Sequence, residues 1–175
     1  MMNLKHLFVV CSLAILLAAC ASAPSPPPPG YLLPSAAMSG HGAMAVQVRL
    51  AGYLEQGGLV LQLSKSELHS ARQHRWAESL AQQLQRGLHA HLGEQAGTEK
   101  GQLLVRLSQF HGVRDAQGDR AVIRGAWQFQ AADGPPRQGT IDWHEPIATD
   151  GYAALVESLD LGWRDVARQI ASALQ

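Results

Sequence analysis

The residue with the most definite chemistry in this sequence is Cys20, at the end of Leu17-Ala18-Ala19-Cys20. Before it runs an apolar stretch, Leu7 to Ala19, broken only by Ser12 and preceded by the firm cation Lys5. A charged start, a short apolar run, small residues and a cysteine form the pattern of a bacterial lipobox. The chemistry expected there is thioether formation: the Cys20 thiol is diacylated and the chain is cut before it. Ala18 and Ala19 let the backbone enter a peptidase cleft, with Leu17 completing the recognition stretch. The run has the length of a signal-peptide core and is too short to span a bilayer. Cys11 competes poorly, because Val10 rather than a small residue precedes it.

Cysteine usage agrees with that chemistry. The chain has two cysteines, Cys11 and Cys20. Cutting before Cys20 leaves a single thiol, so no intramolecular disulfide can form. Acyl chains such as palmitate on Cys20 are then the only bound groups expected, with no metal and no diffusible cofactor.

The remaining residues offer little catalysis. Seven histidines would lie beyond Cys20. His89 and His91 are two apart on a helix, about 200° around the axis, and cannot share a metal. His69 and His74 have no cysteine or carboxylate at ligand spacing. His144-Glu145 lacks the second histidine of a zincin motif. No serine sits in a nucleophile elbow, and Gly57-Gly58 makes no phosphate loop. Surface or core histidines are the better reading, and a binding role is expected rather than an enzyme. Trp76, Trp127, Trp143 and Trp163 each fall in phase with an apolar stripe, which assigns them to core packing. A subset lining an acyl groove is the alternative.

Composition bounds the partners. Fourteen Lys and Arg balance fourteen Asp and Glu. No basic stripe or aromatic-interleaved basic patch suggests nucleic acid. The sequence divides into a signal peptide at 1–19, a lipidated cysteine and proline-rich tether at 20–30, and one domain at 31–175. Residues 21–30 are half proline. Proline fixes φ and lacks a donor, so Pro24–Pro29 should form a semi-rigid spacer reaching roughly 30 Å with its neighbours at ~3.1 Å per residue.

The elements of the domain follow from periodicity. Val46, Val48 and Leu50 alternate with polar residues and predict a strand, as do residues 59–63. Glu67 to Ser70 suggests a short third strand. Trp76, Leu80, Leu84 and Leu88 recur at i+4, which predicts a helix over 76–92 stopped by Gly93, with Gln82, Gln83, Gln85 and Arg86 on its polar side. Residues 103–110, 121–129 and 138–143 read as strands joined by turns, an antiparallel meander. Asp150 is the expected N-cap of a closing helix through Leu174, with Gly162 as a candidate kink.

Four stretches, in this order and spacing, resemble the PqiC family of ABC-type transport auxiliary lipoproteins. They are the lipobox followed by Tyr31-Leu32-Leu33-Pro34; Val46-Gln47-Val48 leading into Gly52-Tyr53-Leu54 and Gly58-Leu59-Val60; Arg75-Trp76-Ala77-Glu78-Ser79-Leu80; and Asp150-Gly151-Tyr152 before the last helix. The family often has proline where this chain has Ser79. The resemblance implies an α/β domain with one mixed sheet packed by two long helices. It also implies a structural role for Tyr31, Pro34, Trp76, Ala77, Leu80, Asp150, Gly151 and Tyr152. It implies a periplasmic lipoprotein that works with a periplasm-spanning MCE-domain protein in lipid transport and envelope integrity; separately, Ala21 and Ser22 after Cys20 lack the aspartate of inner-membrane retention, and by resemblance to that sorting pattern the anchor is expected in the outer membrane. The family resemblance leaves room for a homo-oligomeric ring around the end of that partner. The alternative is a stand-alone lipoprotein that binds a lipid or other hydrophobe in its own cavity.

Overall fold

In the computed structural model, a seven-stranded mixed sheet carries two helices on one face. The structure describes residues 30–37, 44–95, 100–116 and 118–175. Strands are β1 (Gly30–Tyr31), β2 (Met44–Leu50), β3 (Gly58–Gln62), β4 (Leu68–Trp76), β5 (Gly101–Asp115), β6 (Gly118–Ala131) and β7 (Arg137–Pro146). The helices are α1 (Leu80–Gln95) and α2 (Tyr152–Leu174), and Pro34–Ala37 and Gly52–Leu54 form 3-10 turns. The sheet order is β1-β4-β3-β5-β6-β7, and β2 pairs with β5. The α/β class, the single mixed sheet and the β5–β6–β7 meander agree with the sequence reading.

β5 organises the sheet because it serves two neighbours on one side. Its first half pairs in parallel with β2, Val46 opposite Leu103 and Val48 opposite Val105. Its second half pairs in parallel with β3, Leu61 opposite Gly112. Between them the register with β6 shifts at Leu107/Gln109. An extra residue at such a bulge moves the side-chain phase by one. Leu103, Val105 and Leu107 therefore share the helix face with Phe110, which pairs with Ile123 just as Leu107 pairs with Gly125. The strand extends five residues past the predicted end at Phe110 because the alternation restarts beyond the bulge.

Both helices press their apolar stripes onto that face. Leu80, Leu84 and Leu88 of α1 are buried, as are Leu155, Leu159, Trp163, Val166 and Ile170 of α2. Trp163 is fully buried, and its Nε1 donates to Leu84 O at 3.0 Å, joining helix to helix. Trp163 meets Phe110 edge-on at 6.3 Å, and Phe110 meets Trp76 at 6.4 Å. All four tryptophans are buried.

Other boundaries differ from expectation as well. Trp76 ends β4 and does not open α1: its N–H donates to Gly57 O at 2.8 Å, and the helix starts at Leu80. The i+4 match of Trp76 to Leu80 arises because both point into the same core. The third strand runs nine residues, to Trp76, rather than ending at Ser70. α1 continues through Gly93 to Gln95. Gly151, with φ +113°, occupies the N-cap of α2, and no side chain of Asp150 caps it.

Gly162 lies within a continuous α2 and makes room for Trp143. A Cβ there would stand 2.5–2.7 Å from the indole ring. Replacing glycine by alanine inside a helix ordinarily gains about 1 kcal/mol. Here overpacking should reverse the sign, so Gly162→Ala should lower the unfolding free energy by about 1–2 kcal/mol. Urea denaturation reads the sign directly, and a stabilised variant would mean that Trp143 does not rest on this helix.

Candidate functional site

Leu17, Ala18, Ala19, Cys20 and the Pro24–Pro29 spacer lie outside the described residues. The described chain begins at Gly30, and the motif residues of the domain gather where it enters. β1 pairs with the end of β4, Tyr31 opposite Trp76, and Ala77 N donates to Tyr31 O at 2.9 Å. The Tyr31 hydroxyl lies 2.9 Å from His74 Nδ1, and the His74 ring stacks on Tyr152 at 4.2 Å. Tyr31 and Tyr152, 121 positions apart in the numbering, thus hold one histidine between them. Pro34 opens the following 3-10 turn, and Leu80 is buried in the core.

Past Tyr31 the chain forms a strap fixed by polar contacts. Leu33 N donates to Gln83 Oε1 at 2.8 Å. Gln83 is fully buried, whereas the sequence pattern placed it on the solvent side of the helix. Ser35 N and Ser35 Oγ donate to Asp160 Oδ1 at 3.0 and 2.5 Å. Arg86 Nε donates to Ala36 O at 3.1 Å and its guanidinium pairs with Glu78. Gly87 brings α1 close to the strap, since a Cβ there would stand 2.5 Å from Ser35 Oγ. Gln83 and Arg86 of α1 and Asp160 of α2 therefore tie the segment Leu33–Ala36 to both helices.

The helix-free face of the sheet carries the second feature. Its first half is polar and solvent-facing, with Gln47, Arg49, Gln102, Arg106, Gln128 and Gln138. Its second half forms a groove of about 640 Å³ over Val113 and Val122, rimmed by Gln62, Lys65, Arg120, Arg124 and His144. Ion pairs hold the arginines: Arg120 with Asp115 at 2.6 Å, Arg124 with Asp142 at 2.8 Å. Arg114 Nε donates to both Asp119 oxygens at 2.9 and 3.1 Å. Hydrogen bonds from Arg114 and Arg124 hold the Asp119 and Asp142 carboxyls below the usual carboxylate range.

Beneath the groove sits His111, paired with Val122 across β5 and β6. The Tyr53 hydroxyl donates to Ser108 O at 2.8 Å and lies 2.9 Å from His111 Nδ1. A hydroxyl has one proton, so that geometry has Nδ1–H donating to Tyr53 and leaves Nε2 as an acceptor. Nε2 is buried without a hydrogen-bond partner. Burial, and then the nearby Arg124 charge, push the His111 imidazole down to about 4, and burial pushes the Tyr53 hydroxyl up to about 12. Both are neutral at neutral pH.

Neither feature assembles a nucleophile with its base. His69 and His74 lie on β4 and His89 and His91 on α1, on separate elements from His111 and His144. Among the described residues no three His, Cys, Asp or Glu side chains come together as a metal-holding group.

Residues 31–171 match the family described as the ABC-type transport auxiliary lipoprotein component. The chain belongs to this family. Its fold is shared with two solved structures. One, an uncharacterized protein, is 28% identical with a TM-score of 0.72, over 83% of this chain and 97% of the other. The second is protein XCC0632 from Xanthomonas campestris, assigned to family DUF330, 14% identical with a TM-score of 0.62, over 82% of this chain and 90% of the other. Among curated proteins none matches. The family is that of a transport auxiliary component, a lipoprotein associated with the cell envelope and an ABC-type system, as the sequence resemblance implied. No described helix is long and apolar enough to cross a membrane. The groove residues Gln62, Val113, Arg120 and Val122 carried no sequence signal beyond their places on strands, and Lys65 none beyond its place in the turn between β3 and β4.

Proposed function

We propose that this protein is an accessory subunit of an MCE-type system that moves lipids between membranes, held at the periplasmic face of the outer membrane by acylated Cys20. The observation that carries this reading is membership of the transport auxiliary lipoprotein family across residues 31–171. The lipobox supplies the anchor, and Ala21 and Ser22 lack the aspartate that retains lipoproteins in the inner membrane. The proline-rich stretch sets the distance between anchor and domain. Such a protein acts by position and contact, and the strap transmits the position of the tether to the domain. Docking relies on shape more than on overall charge, since the chain is neutral as a whole.

Cross-linking in intact cells tests the proposal. The wild-type protein should fractionate with the outer membrane and capture a periplasm-spanning MCE-domain protein. Cys20→Ala should leave an unlipidated precursor that loses membrane fractionation. A folded, lipidated protein that captures no MCE protein would defeat the accessory-subunit reading. The stand-alone reading would need a cavity at Trp127 and Phe129, and both are packed into the core at 7% and 0% exposure.

A further inference from the structure

We infer that the contact between Tyr53 and His111 is an acid-released latch: it holds the Gly52–Leu54 turn on the sheet while His111 is neutral and frees the turn when His111 takes up a proton. The turn sits where β5 passes from β2 to β3. Ala51 N donates to Leu107 O at 2.9 Å, and the Tyr53 hydroxyl donates to Ser108 O at 2.8 Å, both at the bulge. Leu54 is buried next to it. A cleft of about 340 Å³ separates Leu50, Leu54 and Gly57 from Trp76 and Leu80. Release of the turn lifts Leu54 from the core and widens that cleft, so the apolar surface shown there depends on the state of His111.

The geometry makes His111 costly to charge. The ring is 1% exposed, and its Nε2 is buried with no hydrogen-bond partner among the described residues. As an acceptor in a neutral ring, an empty Nε2 carries a modest penalty. On a protonated ring it becomes a donor bearing charge, and a buried charge without a partner is far costlier. The Tyr53 hydroxyl is already engaged by Nδ1 and by Ser108 O. Water reaches Nε2 only if part of the cover moves. Val122 covers the ring from within the long β5–β6 ladder, whereas the Tyr53 ring, 5.9 Å away, comes from a three-residue turn. The turn is the part that yields.

The charges on this face do not relieve the cost. From β6, Arg124 opposes a second positive charge, and Asp142 of β7 is held by Arg124 Nε at 2.8 Å. His144 stands opposite Val122 on β7, and Glu55 follows Tyr53 on the turn. Arg49 and Arg106 lie before the bulge. The groove beyond adds Lys65, Arg114, Asp115 and Arg120, with Asp115 on Arg120 and Arg114 on Asp119.

The sign follows from linkage. His111 sits at about 4 with the turn closed and returns toward the ordinary value of about 6.5 once it is wet. The open form therefore binds more protons, and opening gains as pH falls from about 6.5 toward 4. Between about pH 7.5 and 5 the opening equilibrium should rise roughly thirtyfold. This range lies above that in which Asp119 and Asp142 take up protons.

Hydrogen exchange of the full-length protein in neutral detergent tests the latch. Protection factors over residues 51–57 should fall roughly thirtyfold across that range, while those of the β5–β6 amides hold. His111→Asn keeps a nitrogen donor near the place of Nδ1 and cannot be protonated, so its turn should lose the pH dependence. Tyr53→Phe gives an independent reading: its turn should open more at about pH 7.5, and the His111 ring should titrate above its wild-type midpoint, followed by NMR. Unchanged protection at about pH 5, a loss shared equally by the β5–β6 amides, or a pH dependence that survives in His111→Asn would overturn the proposal. So would a wild-type His111 that titrates near 6.5 beneath a protected turn, or a Tyr53→Phe protein with the wild-type midpoint.

Discussion

Trp163→Ala should remove about 3–5 kcal/mol of folding free energy, the range for truncating a large aromatic in a packed core. A domain of this size commonly has 5–15 kcal/mol in all, so the variant should be near the edge of folding at ambient temperature. The expectation rests on position: Trp163 has no exposed surface, meets Phe110 edge-on, and donates to Leu84 O in the other helix. Trp163→Phe separates packing from hydrogen bonding. It keeps most of the ring volume and loses the Nε1 donor, and should cost about 1–2 kcal/mol. Trp76→Ala should fall in the same range as Trp163→Ala or slightly below, since Trp76 retains 8% exposure. Urea denaturation followed by far-ultraviolet dichroism avoids the lost fluorescence of the mutated indole. A Trp163→Ala protein with its melting temperature intact would remove Trp163 from the helix–helix–sheet junction.

What the sequence disclosed depends on how much each element relies on its own periodicity. β6 and β7 alternate cleanly between a packed face and a wet one, so Ile123, Trp127, Phe129, Ile141 and Trp143 were readable as core. α2 is equally plain, its stripe recurring from Leu155 to Leu174. β4 was mostly hidden. Apart from Ala71 and Trp76, its residues are polar or exposed on both faces, because its outer neighbour is only the two-residue β1. With no alternation to follow, the i+4 spacing of Trp76 and Leu80 extended the helix backwards into the strand. β5 was cut short by its bulge, where a period of two skips a residue.

The candidate site was harder to read, for two different reasons. The strap depends on partners 50 and 125 positions away, Gln83 for Leu33 and Asp160 for Ser35. A glutamine or aspartate on a helix reads as solvent-facing unless its distant partner is known. The motif residues around Tyr31 and Tyr152 were nameable only through the family resemblance, and their meeting at His74 follows from the β1–β4 pairing, which two residues cannot signal. The groove consists of residues on the outward side of alternating strands. Periodicity marks them as outside the core and says nothing about which of them converge.

Asp160→Ala should produce the second large effect, because it leaves two buried donors of Ser35 without an acceptor. Asp160 and Ser35 are 3% and 2% exposed. Each unpaired buried group costs about 1–3 kcal/mol, so the sum should be about 3 kcal/mol after partial relaxation. Asp160→Asn retains a side-chain acceptor at the same place and should cost markedly less. Ser35→Ala removes one of the two donors, and the double variant should show coupling of about 1 kcal/mol or more, since the two residues form one contact. The loss should also be local before it is global. Leu33 and Ser35 amides are held only by Gln83 and Asp160, so Asp160→Ala should release the strap and raise hydrogen exchange at Ser35 well above that of the β5–β6 amides. Under the proposed function, full-length Asp160→Ala protein should still fractionate with the membrane, yet cross-link less to the proposed MCE-domain partner, because Leu33–Ala36 would no longer be fixed to the helices. Unchanged Ser35 exchange in a destabilised variant would place the Asp160 contribution elsewhere in the core. Intact cross-linking with a released strap would show that the tether does not set the orientation of the domain.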